Sequence, residues 1–379
     1  MSKKFKRVII PIGIVLILFL GNVFSADGSK QQTEIEQQEN TSYNKKAFDP
    51  SKMIFHHIAD AHDWHVMDIG DFHFSIPLPI ILWHEGKLHV FMSNKLKHGN
   101  ALYKGFGLAT EASTSKIVYA DIDQFNENHQ IIQDLKHAAP LDFSITKNVV
   151  AIFVSSAIML WVFISVANAY RKRGMVAPGG LQSFLEPVIL FVRDDIAKPS
   201  IGEKKYEYFM PFLLTIFFFI FLNNVMGLIP IFPGGANVTG NIAVTLVLAA
   251  FTLVTIILSA NKDYWKHIFN TPGVPWILKI PIPLMPVIEL LGLIIKPIVL
   301  MIRLFANITA GHIIGLAFVS LIFIFGNTDT FLGFAISPVS VVFSIFIKFI
   351  ELLVAFIQAY VFTLLSALYI GLAVEEAHH

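Results

Sequence analysis

The chain has no cysteine and few charged side chains. Asp, Glu, Lys and Arg make up only 15% of its 379 residues, and the formal net charge is +1. Without cysteine, no disulfide framework stabilises any exported part. The near-neutral net charge by itself says nothing about partners. The sequence has no uniformly basic footprint of the kind that binds nucleic acid, so no nucleic acid is expected among its partners.

A nucleotide-binding loop is also missing from the sequence. No Gly-rich segment ends in Lys-Ser or Lys-Thr, the pattern that holds the phosphates of a bound nucleotide. The chain is therefore expected to bind no nucleotide, and no cofactor is predicted for it.

Apolar side chains are abundant instead. They make up 55% of the residues, among them 35 phenylalanines, and the mean hydropathy is +0.64. We predict an all-α polytopic membrane protein with about five membrane helices, since about 20 apolar residues cross a bilayer. The predicted spans are Val149–Tyr170, Tyr208–Ile229, Asn241–Ala260, 284–325 and 338–372.

The last two apolar stretches are joined by a predicted loop whose only charge is Asp329. A continuous helix of about forty residues would be roughly 60 Å long, twice the hydrocarbon thickness. These two helices are therefore expected to tilt strongly, bend or break. Pro286, Gly292 and Pro297 offer places to bend the first of them.

The first residues have the pattern of a secretory signal. Basic residues at positions 3–7 precede an apolar run from Val8 to Leu20, and small residues follow near Ser25 and Ala26. Residues 1–26 are interpreted as a signal peptide, with an uncleaved anchor as the alternative. Either version places the residues that follow outside the cytoplasm.

The positions of the Lys and Arg residues between the spans predict the same orientation. Arg171-Lys172-Arg173 follows the first span, and Lys262 and Lys266 follow the third, so both loops are expected in the cytoplasm together with the C-terminus. The alternation of charged and apolar residues over 181–205 predicts a helix that lies on the cytoplasmic surface and does not cross.

A small domain is predicted between the signal and the first span. Residues 27–51 are interpreted as a polar linker, and residues 52–140 as a mainly β extracytoplasmic domain. Alternating residues from Phe72 predict a strand, and the segment around Glu85-Gly86 predicts a hairpin.

This domain holds ten of the fourteen histidines. His62 and His65, at i and i+3, would share one face of a helix and offer two ligands to a transition metal, or the histidines would gather protons. A purely structural role is favoured because no four-ligand pattern is present, so no metal site is predicted.

Arg303 lies inside the fourth apolar stretch. A guanidinium cannot lose its charge, so placing it near mid-bilayer costs at least about 2.5–3.5 kcal/mol. Snorkelling from a helix end is the alternative, but apolar residues continue well beyond Arg303 on its C-terminal side. The cost therefore indicates a functional residue.

Folding the last two stretches into an antiparallel hairpin pairs polar residues with one another. Arg303 is then level with Gln358, and His312 is almost level with Glu351. Asn307 follows Arg303 at i+4 on the same helix face. His312 and Glu351 are interpreted as a proton relay, with a pair that only locks the hairpin as the alternative.

Glu289, Lys296 and Arg303 recur every seven residues along a stripe that runs toward the cytoplasm. Glu289 is interpreted as part of a second, inner path, while Lys296 either supports that path or snorkels to the membrane surface. A fixed positive charge between the two paths would stop protons from passing directly.

Three segments resemble subunit a, the proton-channel subunit of the membrane sector of the F-type ATP synthase. The similarity covers about 145–375, interpreted as a membrane proton-channel domain. Its segments are 221–230, 296–312 and 351–365, which contain Asn223-Asn224, Lys296-Pro-Ile-Val-Leu-Met-Ile-Arg303 and Glu351-Leu-Leu-Val-Ala-Phe-Ile-Gln358.

The resemblance implies an ion-translocating subunit that is not catalytic by itself, and it implies a function for each of these residues. Arg303 would face a rotating ring of c subunits as a barrier, with His312 and Glu351 in an outer half-channel, Glu289 in an inner one, and Asn307, Gln358 and Lys296 in support. The implied location is a bacterial inner membrane, with the N-terminal domain periplasmic. Implied partners are the c ring, the b-subunit peripheral stalk, the other ATP synthase subunits and the lipid bilayer.

Three features depart from the pattern of many bacterial relatives. Histidine and glutamate exchange places at His312 and Glu351, Gly227 stands where an aspartate is common, and Lys348 has no counterpart. The ion is taken as H⁺, because selectivity over Na⁺ would lie mainly in the c ring.

Two other functions are alternatives. A secondary transporter working alone would show two repeated halves, which this sequence lacks. A membrane sensor would depend on the histidine-rich domain, and deleting residues 52–140 would abolish its function while leaving the chemistry of a proton channel.

Overall fold

The computed structural model describes most of the chain after the predicted linker. The predicted signal peptide and nearly all of the linker lie outside the described residues. The described residues are 49–69, 72–99, 101–109, 116–119, 139–173, 179–229, 232–269 and 284–375.

Helices dominate the described residues, and five of them are long and apolar enough to cross a membrane, as the sequence predicted. These five are α2, α5, α6, α8 and α9. The helices are α1 (Pro50–Ile58), α2 (Lys147–Arg173), α3 (Leu181–Phe191), α4 (Lys198–Ile201), α5 (Tyr206–Leu228), α6 (Ile242–Ser259), α7 (Lys262–Phe269), α8 (Leu284–Thr328) and α9 (Thr330–Val374).

The N-terminal region contains short antiparallel strands, which confirms the prediction of β structure there. β1 pairs with β2, β3 lies between β4 and β7, and β5 pairs with β6. The predicted hairpin is also confirmed: Glu85 and Gly86, both with positive φ, connect β3 to β4 in a two-residue turn. The strands are β1 (Asp63–Ile69), β2 (Phe72–Pro77), β3 (Pro79–His84), β4 (Lys87–Met92), β5 (Phe106–Leu108), β6 (Ile117–Tyr119) and β7 (Leu141–Asp142).

The β region is attached to the start of α2. Asp60 accepts hydrogen bonds through both carboxylate oxygens, from the Asn148 backbone N–H at 3.0 Å and from the Thr146 hydroxyl at 2.8 Å. Asp60 therefore provides a hydrogen-bond acceptor for a backbone N–H in the first turn of α2, which has no partner within the helix. Trp64 packs against α2 and contacts the ring of Phe232, with ring centroids 5.0 Å apart, in the segment between α5 and α6.

A single residue, Asp329, separates α8 from α9. The segment between 325 and 338, predicted as a loop, is instead almost entirely helical, so that prediction was wrong. The side chain of Asp329 accepts a hydrogen bond from the Phe331 N–H at 3.0 Å and caps α9. A Cβ on Gly333 would lie 2.7 Å from the Cα of Gly326, so these two glycines allow the helices to cross closely.

Each helix of this hairpin has 45 residues and is about 67 Å long. Both exceed the hydrocarbon thickness by a factor of about two. Their tilt in the bilayer stays a prediction.

The segment predicted as a surface helix is built from three pieces, α3, a π-helical turn at Val192–Ala197, and α4. None of them is long enough to cross a membrane. One side is buried in the main core with α5 and α9, where Val192, Ile196 and Ala197 are fully inaccessible. The opposite side is charged and exposed.

Candidate functional site

A cavity of about 80 Å³ lies between α5, α8 and α9. Its lining includes Asn224 from α5, Asn307 and His312 from α8, and Glu351 from α9. The volume is sufficient for several water molecules, each of which needs polar partners of this kind. Polar groups from three helices thus converge on one internal space in an otherwise apolar bundle.

His312 and Glu351 are the titratable pair of this cavity. The imidazole Nδ1 lies 3.6 Å from the carboxylate Oε1, and the two side chains are only 13% and 6% exposed. That separation exceeds a direct hydrogen bond and allows an ion pair or a bridging water. The structure brings together the two residues that counting along the hairpin had placed at one level.

Two glycines on α8 make room for Glu351. A Cβ on Gly311 would lie 3.1 Å from the Glu351 Cγ, and a Cβ on Gly315 would lie 3.4 Å from its Oε1. Gly311 and Gly315 are one helical turn apart and therefore lie on the same face of α8. Sequence reasoning missed them, although two glycines at i and i+4 beside a candidate histidine were a usable signal.

Lys348 is the closest charged neighbour of Glu351. Its Nζ lies 2.7 Å from the carboxylate Oε2, within one turn of α9. The sequence had singled out Lys348 without assigning it a partner. The i,i+3 spacing between Lys348 and Glu351 was the signal for this ion pair.

Gly227 faces the same histidine from α5. A Cβ at this position would lie 3.6 Å from the Nε2 of His312. Asn224, one turn earlier, lines the cavity and accepts a hydrogen bond from Thr239, whereas Asn223 donates to the Phe219 carbonyl of its own helix at 2.8 Å. Asn224 therefore belongs to the site, and Asn223 to the packing of α5.

Arg303 has a different environment. It is exposed on α8 and forms no hydrogen bond or ion pair with any residue that the structure describes. Gln358, predicted to face it, is 5% exposed. No hydrogen bond joins these two side chains within the described part of the chain, so their pairing stays a prediction. The guanidinium is thus available to a group outside this chain.

Glu289 and Lys296 lie on α8 on the other side of Arg303 and do not line the cavity. The Nζ of Lys296 stands 5.4 Å from the centroid of the Tyr369 ring, a cation–π contact. Tyr264 of α7 has a raised pKa, chiefly because it is partly buried and additionally because of the negative charge of Glu289. Glu289 is therefore close to the short helix that follows α6.

The N-terminal histidines do not form the predicted helical pair. His65 belongs to strand β1, which begins at Asp63, so the prediction that His62 and His65 share a helix face was wrong. Trp64 and Val66, on either side of His65, are an aromatic and a β-branched residue, both of which are common in strands. The buried His62 instead has its Nε2 2.9 Å from the Asp142 carboxylate. Within the described residues, no three metal-ligating side chains lie together.

Comparison with known proteins extends this description. Residues 149–371 match the family model described as the ATP synthase A chain, and residues 53–143 match a domain of unknown function. The ATP synthase subunit a of Chloroherpeton thalassium is 44% identical over 63% of this chain and 69% of its own length.

Two further relatives give the same result. Subunit a 2 of Chlorobaculum tepidum is 48% identical over 63% of this chain and 66% of its own length. Subunit a of Myxococcus xanthus is 41% identical over 63% of this chain and 76% of its own length. The family model covers more than half of the 379 residues, including every helix that lines the cavity. The chain therefore belongs to the ATP synthase subunit a family.

Proposed function

We propose that this chain is the stationary proton channel of a rotary F-type ATP synthase. Protons enter an outer half-channel at His312 and Glu351, bind a carboxylate of the c ring, and leave through an inner half-channel at Glu289. Each 100 mV of membrane potential contributes about 2.3 kcal/mol per charge moved, so several protons are needed for each ATP.

The His312–Glu351 pair beside the cavity is the observation that carries this proposal. An imidazole and a carboxylate are side chains that can pass a proton to each other, and the cavity has room for water between them and Asn224 or Asn307. A pair that only locked the hairpin would need no cavity that polar side chains of three helices reach.

The barrier role of Arg303 is supported by its exposure and by its position. It lies nine residues from His312 on α8 and outside the cavity lining. A permanent cation there repels protons and attracts a carboxylate that moves past it. Asn307, one turn away, lines the cavity and would link the outer path to this surface, with Gln358 and Lys296 in support.

The membrane arrangement completes the proposal. Residues 1–26 direct export, the domain at 52–140 is periplasmic, the membrane domain at 145–375 lies in a bacterial inner membrane, and the C-terminus is cytoplasmic. The partners are the c ring, the b-subunit stalk and the remaining ATP synthase subunits, and the ion is H⁺. The chain conducts ions and leaves ATP chemistry to other subunits.

Replacement of the barrier residue tests this function. In inverted membrane vesicles, Arg303→Ala is expected to abolish ATP-driven proton pumping and to increase the passive proton leak, because no fixed charge then separates the half-channels. Pumping is measured by quenching of a pH-sensitive dye after the assembly of the complex has been verified.

Arg193→Ala is the matched control. Arg193 is an exposed arginine outside the membrane helices and is paired with Asp194 at 2.8 Å, so its loss is expected to leave pumping intact. Normal pumping by an assembled Arg303→Ala complex would show that Arg303 is not the barrier.

A further inference from the structure

We propose that Lys348 is a positioning residue of the outer half-channel: it holds Glu351 toward His312 and sets the pH range over which this pair transfers protons. The inference rests on the proposed function. Its basis is the ion pair between Lys348 and Glu351 at the cavity.

The two oxygens of Glu351 have different neighbours. Oε2 is 2.7 Å from the Lys348 ammonium, whereas Oε1 is 3.6 Å from the His312 imidazole and has no hydrogen bond within the described residues. A charge-assisted bond to one oxygen restrains rotation of the carboxylate. The other oxygen is then kept at the imidazole, where it accepts or releases a proton.

Packing directs the lysine to this position. A Cβ on Gly315 would lie 3.7 Å from the Lys348 Nζ and 3.4 Å from the Glu351 Oε1, so both charged groups lie against α8 where that helix has no side chain. The lysine side chain is 46% exposed. Its charged end nevertheless points to the carboxylate inside the bundle, which argues against simple snorkelling.

The surroundings of Glu351 give the lysine its electrostatic effect. From α8 the titratable group facing the carboxylate is His312, from α5 the cavity presents the uncharged Asn224, and on α9 the charged neighbour is Lys348. Gly227 contributes no second carboxylate on the α5 side. Among the described residues, the Lys348 ammonium is thus the cation paired with Glu351, and it opposes the arrival of further positive charge there.

Passive proton conductance tests this role. It is measured as a function of pH in vesicles that contain the whole membrane sector and have been stripped of the catalytic subunits. Lys348→Met is expected to lower conductance at neutral pH about tenfold and to move the pH of half-maximal conductance upward by about one unit. Lys348→Arg retains the cation and is expected to restore both values most of the way.

Val342→Met, at a 65% exposed position of the same helix, is the control for an added methionine. Recovery of the c ring with the purified chain verifies assembly, and Lys348→Gln replaces Lys348→Met if the latter does not assemble. An assembled, charge-free variant with native conductance and native pH dependence would overturn the proposal. So would failure of an assembled Lys348→Arg to restore them.

Parallel variants separate this inference from the function on which it rests. His312→Gln and Glu351→Gln are expected to abolish conductance if the pair is the outer relay. Native conductance in both would reject the outer half-channel itself. Loss of conductance in both, together with an unaffected Lys348→Met, would reject only the role of the lysine.

Discussion

At the scale of single residues, the ion pair on α9 is linked to the order of the histidine and the glutamate at positions 312 and 351. Lys348 lies one turn from residue 351. The carboxylate at that position accepts a hydrogen bond from the Lys348 ammonium, with 2.7 Å between Nζ and Oε2. With histidine at 351 and glutamate at 312, the lysine would instead adjoin an imidazole and oppose its protonation. Lys348 therefore fits the order found in this chain, with histidine on α8 and glutamate on α9.

Gly311 leads to a prediction about side-chain space. A methyl group there would lie 3.1 Å from the Glu351 Cγ, closer than an ordinary contact, so Gly311→Ala is expected to displace Glu351 from His312 and to lower passive proton conductance several-fold. The measurement is proton conductance in vesicles that contain equal amounts of complex.

Gly292→Ala is the matched control on the same helix. A Cβ at Gly292 would have no neighbour within 4 Å, so this substitution adds a methyl group without a clash and is expected to keep conductance native. Equal conductance in the two variants would contradict the proposed space requirement at Glu351.

Asp142 leads to a prediction about acid stability. Burial alone would raise the pKa of this carboxyl, but the hydrogen bonds from His62 and Ser144 outweigh it and hold the pKa below the ordinary value of 3.8. The stabilisation is therefore fully present above pH 3.8 and is lost as the pH falls through the lower, folded-state pKa.

Asp142→Asn should thus destabilise the N-terminal domain at pH 7 by about 1 kcal/mol, and this deficit should shrink as the pH falls below 3.8. The difference in stability is measured at each pH from the resistance of the domain to proteolysis at increasing urea concentrations. Asp60, whose pKa is raised by burial, is present in both the parent chain and the Asp142→Asn variant, so its titration changes the stability of both equally. A deficit that stays constant into acid would rule out the ionised carboxylate as its source.

At the scale of helices and strands, hydropathy was sufficient to predict five spans because each contains a long stretch of high mean hydropathy. It was insufficient at the start of α9. Gly333 and Pro338 are typical of loops, yet Gly333 serves the crossing with Gly326, and Pro338 is accommodated within the helix. Such tolerance depends on the neighbouring helix, which no local pattern reveals.

The candidate site could also be predicted only in part. Counting residues from the turn was enough to place His312 level with Glu351, because an antiparallel hairpin fixes height. It could not fix the direction of each side chain, which depends on how both helices rotate about their axes. The contacts of Gly311, Gly315 and Lys348 depend on that rotation. Their spacing in the sequence is a signal, but only the three-dimensional arrangement shows what they touch.

The packing of α4 against the end of α9 gives a prediction at the scale of helices. A Cβ on Gly371 would lie 1.9 Å from the carbonyl oxygen of Ser200, a backbone atom that cannot move alone. Gly371→Ala is expected to separate these helices and to destabilise the chain by about 1–3 kcal/mol or more.

The amount of Gly371→Ala chain that co-purifies with its complex measures this effect, and Gly292→Ala again serves as the unhindered control. Native recovery of the Gly371→Ala chain would show that the contact between α4 and α9 is not required for assembly.

At the scale of the whole molecule, the absence of cysteine makes membrane orientation directly testable. A single introduced thiol is the sole target of a membrane-impermeant maleimide in this chain. Asn94→Cys, at an exposed position of the β region, is expected to react in intact spheroplasts. Lys266→Cys in α7 is expected to react only in inverted vesicles.

The parent chain, which has no thiol, is the control for background labelling. Labelling of both cysteines from the same side of the membrane would contradict the proposed orientation. If each cysteine were labelled from the side opposite to the expected one, the orientation of the chain would be the reverse of the proposed one.

The order of the helices along the chain has a consequence for biosynthesis. Two walls of the cavity, with His312 and Glu351, come from α8 and α9, which follow all the other described helices. Translation proceeds from the N-terminus, so a nascent chain that ends before Glu351 has no relay. On the proposed function, an unfinished subunit therefore has no complete route by which to dissipate the proton gradient of the cell that is making it.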